Sequence, residues 1–370
     1  MTSRRASSKQ WVSSAGVRGL TKVERALLSV VAIVTAAAAL TRYLSGVSAI
    51  VAFAFATLAL AGMAWIVSTA TEQIGERFGS AITGTLQSTV GNLPEFFVVL
   101  FALQAGNTVV AETALVGSVL VNALLVLGLV LIAGSLRARD GTMRFSPRLP
   151  NDTATLLLVA SFIIILLGLV NSGHDPARHH TQTISIVGAG VMLVVYLIWV
   201  RQYLRHQDAA EPTRGPPRVG IVTSVALLVV AGVGSAFVSD WFVRALEPTI
   251  HTLHLSQAFA GIVIVAIAGN AVENVAGIVL AYKGSSDLAI SVVKSSVAQI
   301  AAFLYPLMVL VSLLTASHLS FALAPVYIGA LALSAILIWQ ITGDGEATPF
   351  EGAALVGVYL VLATVAAFEA

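Results

Sequence analysis

The sequence predicts an all-α integral membrane protein with about eleven transmembrane helices, arranged as one N-terminal helix followed by two inverted five-helix repeats. Three observations predict this fold. Of the 370 residues, 57% are hydrophobic and only 10% are charged, whereas a soluble domain carries about 25% charged residues. Apolar stretches long enough to cross a bilayer follow one another along the chain. A polar motif of the first half recurs in the second half.

Eleven apolar stretches approach the roughly 20 residues that a transmembrane helix needs. The first stretch is short and rich in alanine, so it also fits a helix lying in the membrane interface. The stretches span residues 26–40, 47–68, 80–104, 109–135, 153–171, 184–200, 219–239, 256–281, 287–314, 321–341 and 350–368.

The basic residues predict the orientation of these spans. With a cytoplasmic N-terminus, sixteen Lys and Arg residues fall in inner segments and only Arg42, Arg178 and Arg244 in outer segments, as the positive-inside rule requires. This bias explains the net charge of +2 without a nucleic-acid partner. We expect a multi-pass protein of a prokaryotic inner membrane, surrounded by the lipid bilayer, with its C-terminus outside.

The longest polar connection divides the chain into comparable halves. Its sequence, RQYLRHQDAAEPTRGPPRVG, has the Pro, Gly and charged residues of a linker. We expect a cytoplasmic tail and first helix at 1–46, a first repeat at 47–204, a cytoplasmic linker at 205–218 and a second repeat at 219–370. Because five spans is an odd number, the two repeats enter the membrane from opposite sides. Inverted repeats with interrupted helices are typical of secondary transporters.

The recurring motif is G-N-x-x-E, which lies in the third and eighth predicted spans. At a constant offset of 178, three residues of each copy match: Gly91, Asn92 and Glu95 with Gly269, Asn270 and Glu273. After a one-residue slip, Ser118 and Asn122 match Ser295 and Gln299 on the following spans. The motif therefore predicts that equivalent polar groups of the two repeats serve one function.

Glu95 and Glu273 are the only acidic residues that this arrangement places well inside spans. A carboxylate there costs about 2.5–3.5 kcal/mol on insertion scales, so it needs a proton, a bound cation or a basic partner. One interpretation is structural: a pair of protonated glutamates, or a salt bridge to Lys294 that locks the helices. The other is that the two glutamates bind a transported cation.

The residues around the glutamates favour cation binding. Gly91, Pro94 and Gly269 interrupt their helices and free backbone carbonyls, which is tolerated at membrane depth only beside a cavity or an ion. Asn92 and Asn270 add amide oxygens. Such an all-oxygen set suits a hard cation such as Ca²⁺, and the chain has no cysteine for a softer metal. Further polar groups come from Ser118, Asn122, Ser295, Ser296 and Gln299.

Two long segments resemble the Ca²⁺/H⁺ antiporters of the cation/Ca²⁺ exchanger superfamily. GTLQSTVGNLPEFFVVLFAL with ETALVGSVLVNALLVLG resembles their first repeat, and AGNAVENVAGIVLAYKGSSDLAISVVKSSVAQIAAFLYP their second. The resemblance implies that Glu95 and Glu273 bind Ca²⁺ and exchange it for protons, with Ca²⁺ and H⁺ as transported ions and no cofactor. It also implies ligand positions at Asn92, Asn270, Asn122 and Gln299, and proton-relay roles for Glu72 and Asp240.

This chain departs from the pattern of that family at three places. Leu93 and Pro94 stand in the first motif, and Asn274 replaces a histidine in the second. Lys294 stands where the family has an apolar or small residue. Its ammonium either lies near the site and repels the cation, or snorkels to the cytoplasmic edge, which we favour.

Three functions remain open at this point. The first is Ca²⁺/H⁺ exchange. The second is Na⁺/Ca²⁺ exchange on the same fold, suggested by the L-P-E sequence at 93–95 but opposed by Asn92, Asn270 and Val119. The third is a channel, or a transport-dead cation sensor. An enzyme is not expected, because no nucleophile–base pair or phosphate-binding loop is recognisable.

Overall fold

A computed structural model of the chain describes residues 19–44, 46–78, 90–146, 148–207 and 218–369. The predicted basic tail, the beginning of the third predicted span and most of the predicted linker lie outside these residues. Within them the chain is almost entirely helical, and its two strands form one small sheet.

Twelve helices follow one another in the part of the chain that the structure describes, six in each half. The first half contains α1 (Lys22–Tyr43), α2 (Ala49–Phe78), α3 (Leu93–Gln104), α4 (Thr108–Arg137), α5 (Arg148–Ser172) and α6 (Thr181–Gln207). The second half contains α7 (Ile221–Leu253), α8 (Gln257–Gly269), α9 (Ala271–Tyr282), α10 (Ser286–Leu314), α11 (Pro325–Thr342) and α12 (Pro349–Ala367). Three of them contain π-helical turns, at Val121–Val126, Ala260–Val265 and Ile300–Leu304.

The membrane-spanning character of these helices agrees with the predicted all-α fold. Nine of the described helices are long and apolar enough to cross a membrane, and α8 with α9, bent by 63° at their break, adds a tenth if the pair is one broken span. The third predicted span is represented by the 12-residue helix α3, because residues 79–89 lie outside the described part. The predicted count of eleven is therefore not confirmed.

Helices of the two halves pack against each other throughout the bundle. The first helices of the predicted repeats, α2 and α7, lie side by side, and α1 packs on the outside of α2. Helix α4 is the most buried span, and α12 crosses it closely. A Cβ atom on Gly128 would lie 2.6 Å from the carbonyl oxygen of Gly352, so this crossing requires glycine.

The two helices that carry the glutamates have the same local geometry. Both contain 12 residues, and each follows an asparagine outside the helical range, Asn92 at φ −94° and ψ 19° and Asn270 at φ −99° and ψ 9°. Both end before a glycine with positive φ, +82° at Gly106 and +83° at Gly284, which a residue with a Cβ atom rarely adopts. All these positions are related by the offset of 178, so the sequence repeat is also a repeat of backbone conformation.

A short two-stranded ribbon joins the two halves and was not predicted from the sequence. Strand β1 (Met143–Arg144) follows α4, and strand β2 (Glu346–Ala347) precedes α12. The guanidinium of Arg144 lies 2.7 Å from the Asp140 carboxylate and 3.1 Å from the Glu346 carboxylate. The hydrogen bond from Arg144 lowers the pKa of Asp140 below its ordinary value.

Candidate cation site

Glu95 lies in the first turn of α3, where it connects the two halves of the protein. Glu95 is only 6% exposed. Its Oε1 atom accepts a hydrogen bond of 2.6 Å from Ser118 Oγ on α4. The same oxygen accepts a hydrogen bond from Asn270 Nδ2, at the break between α8 and α9. Asn270 Nδ2 also lies 3.0 Å from Ser118 Oγ. The break of the second repeat thus directly contacts the glutamate of the first.

Glu273 occupies the equivalent position in the first turn of α9. Its Oε2 atom is buried without a hydrogen-bond partner. Ser296 on α10 interacts with this carboxyl group, although its hydroxyl makes no hydrogen bond of standard geometry. The Glu95 and Glu273 carboxyl groups are also close enough to interact electrostatically. Two carboxylates therefore share one buried region at the N-termini of two helices, where the helix dipole favours negative charge.

The contacts of the serines correct the predicted register of the repeat. Ser118 bonds to Glu95 and Ser296 lies beside Glu273, so Ser118 matches Ser296 at the original offset of 178 and not Ser295. The offset between the two repeats changes by one residue only after the serine, before the amide residue that follows it, Asn122 in the first repeat and Gln299 in the second. In the first repeat a π-helical turn begins in this interval, at Val121, whereas in the second repeat it begins only after Gln299, at Ile300. A π-helical turn holds more residues than an α-helical turn, so it can absorb this difference.

The predicted amide residues also lie in the buried region. Asn92 Nδ2 donates a hydrogen bond of 3.3 Å to Gln299 Oε1, which is a further contact between the halves. Asn122 is fully buried, and its Nδ2 donates to the Ser118 carbonyl at 2.9 Å. Of these predicted amide residues, Asn270 bonds to Glu95 directly, Asn122 bonds to the residue that holds Glu95, and Asn92 pairs with Gln299. Ser295 is half-buried on α10.

Several buried oxygens around the glutamates have no hydrogen-bond partner. They are Glu95 Oε2, Asn122 Oδ1, Asn270 Oδ1, Glu273 Oε2, Asn274 Oδ1 and Ser296 Oγ. A buried polar atom without a partner is costly, and a hard cation satisfies several oxygens at once. Asn274 was not among the predicted ligands. Its place directly after Glu273 in the break was the signal that could have identified it.

A small cavity adjoins Glu95 between the two halves. Its walls are formed by residues of α3, α4 and α8, and Glu95 and Ser118 are its polar groups. The lining residues are Glu95, Val98, Val99, Ala114, Leu115, Ser118, Val265 and Gly269. In the described part of the chain, no three His, Cys, Asp or Glu side chains come together as a metal centre would require. The donors here are instead two carboxylates with neutral amide and hydroxyl oxygens, a set that suits a hard cation.

A family model described as "Sodium/calcium exchanger protein" matches residues 48–202 and 223–368, which together make up most of the chain. The chain belongs to the sodium/calcium exchanger family. Individual relatives agree with the resemblance found in the sequence. The Ca²⁺/H⁺ antiporter ChaA of Bacillus subtilis is 29% identical over 323 residues, which cover 85% of this chain and 91% of ChaA. The vacuolar calcium ion transporter of Schizosaccharomyces pombe is 29% identical over 82% of this chain and 76% of its own length.

Solved structures confirm the exchanger fold. Native YfkE is 25% identical, superposes with a TM-score of 0.76 and covers 93% of this chain and 99% of its own. The H⁺/Ca²⁺ exchanger CAX, at 17% identity, has a TM-score of 0.70 over 94% of this chain and 92% of its own. The sodium–calcium exchanger NCX_Mj, at 19% identity, has a TM-score of 0.55 over 86% of this chain and 98% of its own. The last two likenesses concern the fold alone.

Two predicted residues of this exchanger-family chain lie apart from the glutamates. Glu72 is exposed on α2. Asp240 on α7 forms an ion pair of 2.8 Å with Arg244, one helical turn further on. Among the described residues, neither Glu72 nor Asp240 is hydrogen-bonded to Glu95 or Glu273, so their proton-relay roles stay predictions.

Lys294 does not snorkel to the cytoplasmic edge, so this expectation was wrong. Its side chain is fully buried, and its Nζ lies 3.4 Å from Thr342 Oγ1 at the end of α11. Helices α4, α5 and α9 pack against α10, and this packing encloses the ammonium before it can reach water. Among the described residues Lys294 forms no ion pair, so a salt bridge that locks the glutamates is not observed either. Ser296, two positions later, lies on roughly the opposite side of α10.

Proposed function

We propose that the protein is a secondary active transporter that exchanges Ca²⁺, or a related hard cation, for H⁺ by alternating access. Glu95 and Glu273 are the shared cation and proton sites. The observation that carries the proposal is the contact of Glu95 with Asn270 and Ser118, which brings the equivalent breaks of two repeats to one buried carboxylate. Relatives named as Ca²⁺/H⁺ antiporters support the choice of ions.

Competition for the carboxylates couples the two ions. A glutamate at this depth can hold a proton or share a cation, and an ionised carboxylate with neither is costly in the membrane. The release of Ca²⁺ therefore favours protonation of Glu95 and Glu273, and their deprotonation favours the binding of Ca²⁺. Asn92, Asn270, Asn122, Ser118, Ser296 and Gln299 supply neutral oxygens around the carboxylates, with water completing the shell of 6–8 oxygens that Ca²⁺ takes.

Alternating access follows from the arrangement of the two repeats. Each repeat contributes one broken helix to the site, and α2 and α7, the first helices of the repeats, pack together beside it. A movement of one group of helices relative to the other would open the site to one side of the membrane at a time. The distribution of basic residues favours a cytoplasmic N-terminus, and we propose the inner membrane of a prokaryote as the location.

Transport by purified protein in liposomes tests this function. We expect an imposed pH gradient to drive the uptake of radioactive Ca²⁺, and an imposed Na⁺ gradient of the same size at constant pH to drive none. Uptake driven by Na⁺ alone would instead support Na⁺/Ca²⁺ exchange. Ca²⁺ flux without any counter-ion would indicate a channel, and binding without flux a sensor.

A further inference from the structure

Asn274 is a buried polar residue to which the exchange mechanism above assigns no role. It lies in the first turn of α9, directly after Glu273, and is only 8% exposed. Its backbone N–H donates to the Asn270 carbonyl at 2.9 Å, so the helix already holds it in place. Its Oδ1 atom nevertheless faces no hydrogen-bond donor. A buried amide oxygen in that state is costly, which indicates that another group satisfies it during the working cycle.

The packing of α9 shows which way the Asn274 side chain faces. Gly277 lies one turn further along the same buried face of α9. A Cβ atom on Gly277 would lie 2.9 Å from Val293 Cγ2 on α10. The helices α9 and α10 are joined by a short turn and pack as antiparallel neighbours. In an antiparallel pair, the turn before Gly277 faces the turn after Val293, and from this we infer that Asn274 lies near Ser296.

Three adjacent oxygens thus lack partners in this half of the site. They are Glu273 Oε2, Asn274 Oδ1 and Ser296 Oγ. One carboxylate, one amide and one hydroxyl oxygen form part of the oxygen shell that Ca²⁺ prefers. Neutral amide oxygens also disfavour softer divalent cations, which prefer nitrogen or sulfur ligands.

The first repeat has no counterpart to this oxygen. The residue related to Asn274 by the offset of 178 is Phe96, which is apolar and packs against the hydrophobic core. The repeat symmetry that relates Asn92 to Asn270 and Glu95 to Glu273 therefore ends at this position. An oxygen that only the second repeat supplies can adjust the affinity or selectivity for the cation without altering the two carboxylates that couple the ions.

We propose that Asn274 is a further ligand of the transported cation and sets the preference of the site for a hard divalent cation over a softer one. The inference rests on the proposed function in taking Glu95 and Glu273 as the cation site. It extends that function by naming the residue that determines selectivity.

Binding of Ca²⁺ and Cd²⁺ to the purified full-length protein, measured by titration calorimetry, tests the proposal. Asn274→Leu keeps the size of the side chain but removes the oxygen, and we expect it to weaken Ca²⁺ binding by about tenfold or more. Asn274→Asp keeps an oxygen in the same place and should retain Ca²⁺ binding. Asn274→His replaces the oxygen by a softer nitrogen and should shift the ratio of the two affinities towards Cd²⁺ by about tenfold. Asn171→Leu, at an exposed position on α5, is the matched control and should bind like the wild type.

The outcomes distinguish this proposal from the proposed function. Ca²⁺ binding by Asn274→Leu within about twofold of the wild type, or an unchanged Ca²⁺ to Cd²⁺ ratio in Asn274→His, would overturn the role of Asn274. If Asn274→Leu melts at a lower temperature than the wild type in the presence of a chelator, its weaker binding could reflect a loss of stability. The Ca²⁺ and Cd²⁺ affinities of Asn274→Asp and Asn274→His then decide whether Asn274 is a ligand, because both variants carry a polar group at the same position. Weakened binding in Asn274→Leu together with a wild type that moves no Ca²⁺ in liposomes would support the ligand and contradict the exchanger.

Discussion

Gly269 and Glu95 are in direct contact across the two repeats. A Cβ atom on Gly269 would lie 2.9 Å from Glu95 Cγ and 3.2 Å from its Oε1. Ser118 and Asn270 hold the same carboxylate in place by hydrogen bonds. The motif glycine therefore provides the space in which the glutamate of the other repeat lies, in addition to interrupting its own helix.

Substitution of this glycine should displace the carboxylate. We expect Gly269→Ala to weaken Ca²⁺ binding by about tenfold, because Glu95 must move away from its hydrogen-bond donors, and overpacking of this kind also destabilises by about 1–3 kcal/mol. Gly329→Ala on α11 is the matched control, since a Cβ atom there meets nothing within 4 Å. Calorimetric titration and a melting curve measure both effects. Equal Ca²⁺ affinity in the two variants would contradict the contact.

The buried Lys294 predicts an unusual result for stability. Burying an ammonium without an ion-pair partner is costly, so an apolar side chain of similar size in its place should not destabilise the protein. We expect Lys294→Met to melt at the same or a higher temperature than the wild type and to retain exchange. Lys283→Met, at an exposed position, should change neither property. A fall in melting temperature for Lys294→Met alone would show that the ammonium stabilises the bundle.

The predicted orientation can be tested with introduced cysteines, because the chain has none of its own. Arg144 lies in the ribbon between α4 and α5, which the basic residues place inside, and Arg178 lies between α5 and α6, which they place outside. Arg144→Cys should react with a membrane-impermeant thiol reagent only when the cytoplasmic face is accessible. Arg178→Cys should react from the opposite face. Reaction of both from one side would contradict the assigned topology.

The ion pair in the ribbon predicts a pH-dependent contribution to stability. Because Arg144 lowers the pKa of Asp140, the pair contributes fully above the ordinary aspartate pKa of about 4. The contribution is lost as pH falls through the lowered pKa. We expect a small difference in melting temperature between Asp140→Asn and the wild type at neutral pH, decreasing with added salt. A difference that grows at acidic pH would contradict this assignment.

Much of this architecture can be predicted from the sequence, since the bilayer limits the choice of structures. Backbone groups in hydrocarbon must bond internally, so each long apolar stretch becomes a helix. A polar motif that recurs inside such stretches predicts the candidate site, and the structure brings two of its residues, Glu95 and Asn270, into contact.

Features that depend on packing between helices could not be predicted. The partner of Ser118 in the repeat is Ser296, and the one-residue slip falls after the serine, where a π-helical turn begins before Asn122 in the first repeat but only after Gln299 in the second. Lys294 is buried in the bundle and lies beside Thr342 of α11, which is distant in sequence. The contact of Asn92 with Gln299 and the pairing of β1 with β2 likewise join residues far apart in the chain.

The requirement for both glutamates is the central claim, and uptake of radioactive Ca²⁺ into liposomes under a pH gradient tests it most directly. We expect Glu95→Gln and Glu273→Gln each to abolish uptake while the proteins remain folded, because glutamine can neither release a proton nor neutralise a cation. Glu112→Gln, on α4 and only partly buried, is the matched control and should retain uptake. Wild-type uptake in either Glu95→Gln or Glu273→Gln would contradict the account.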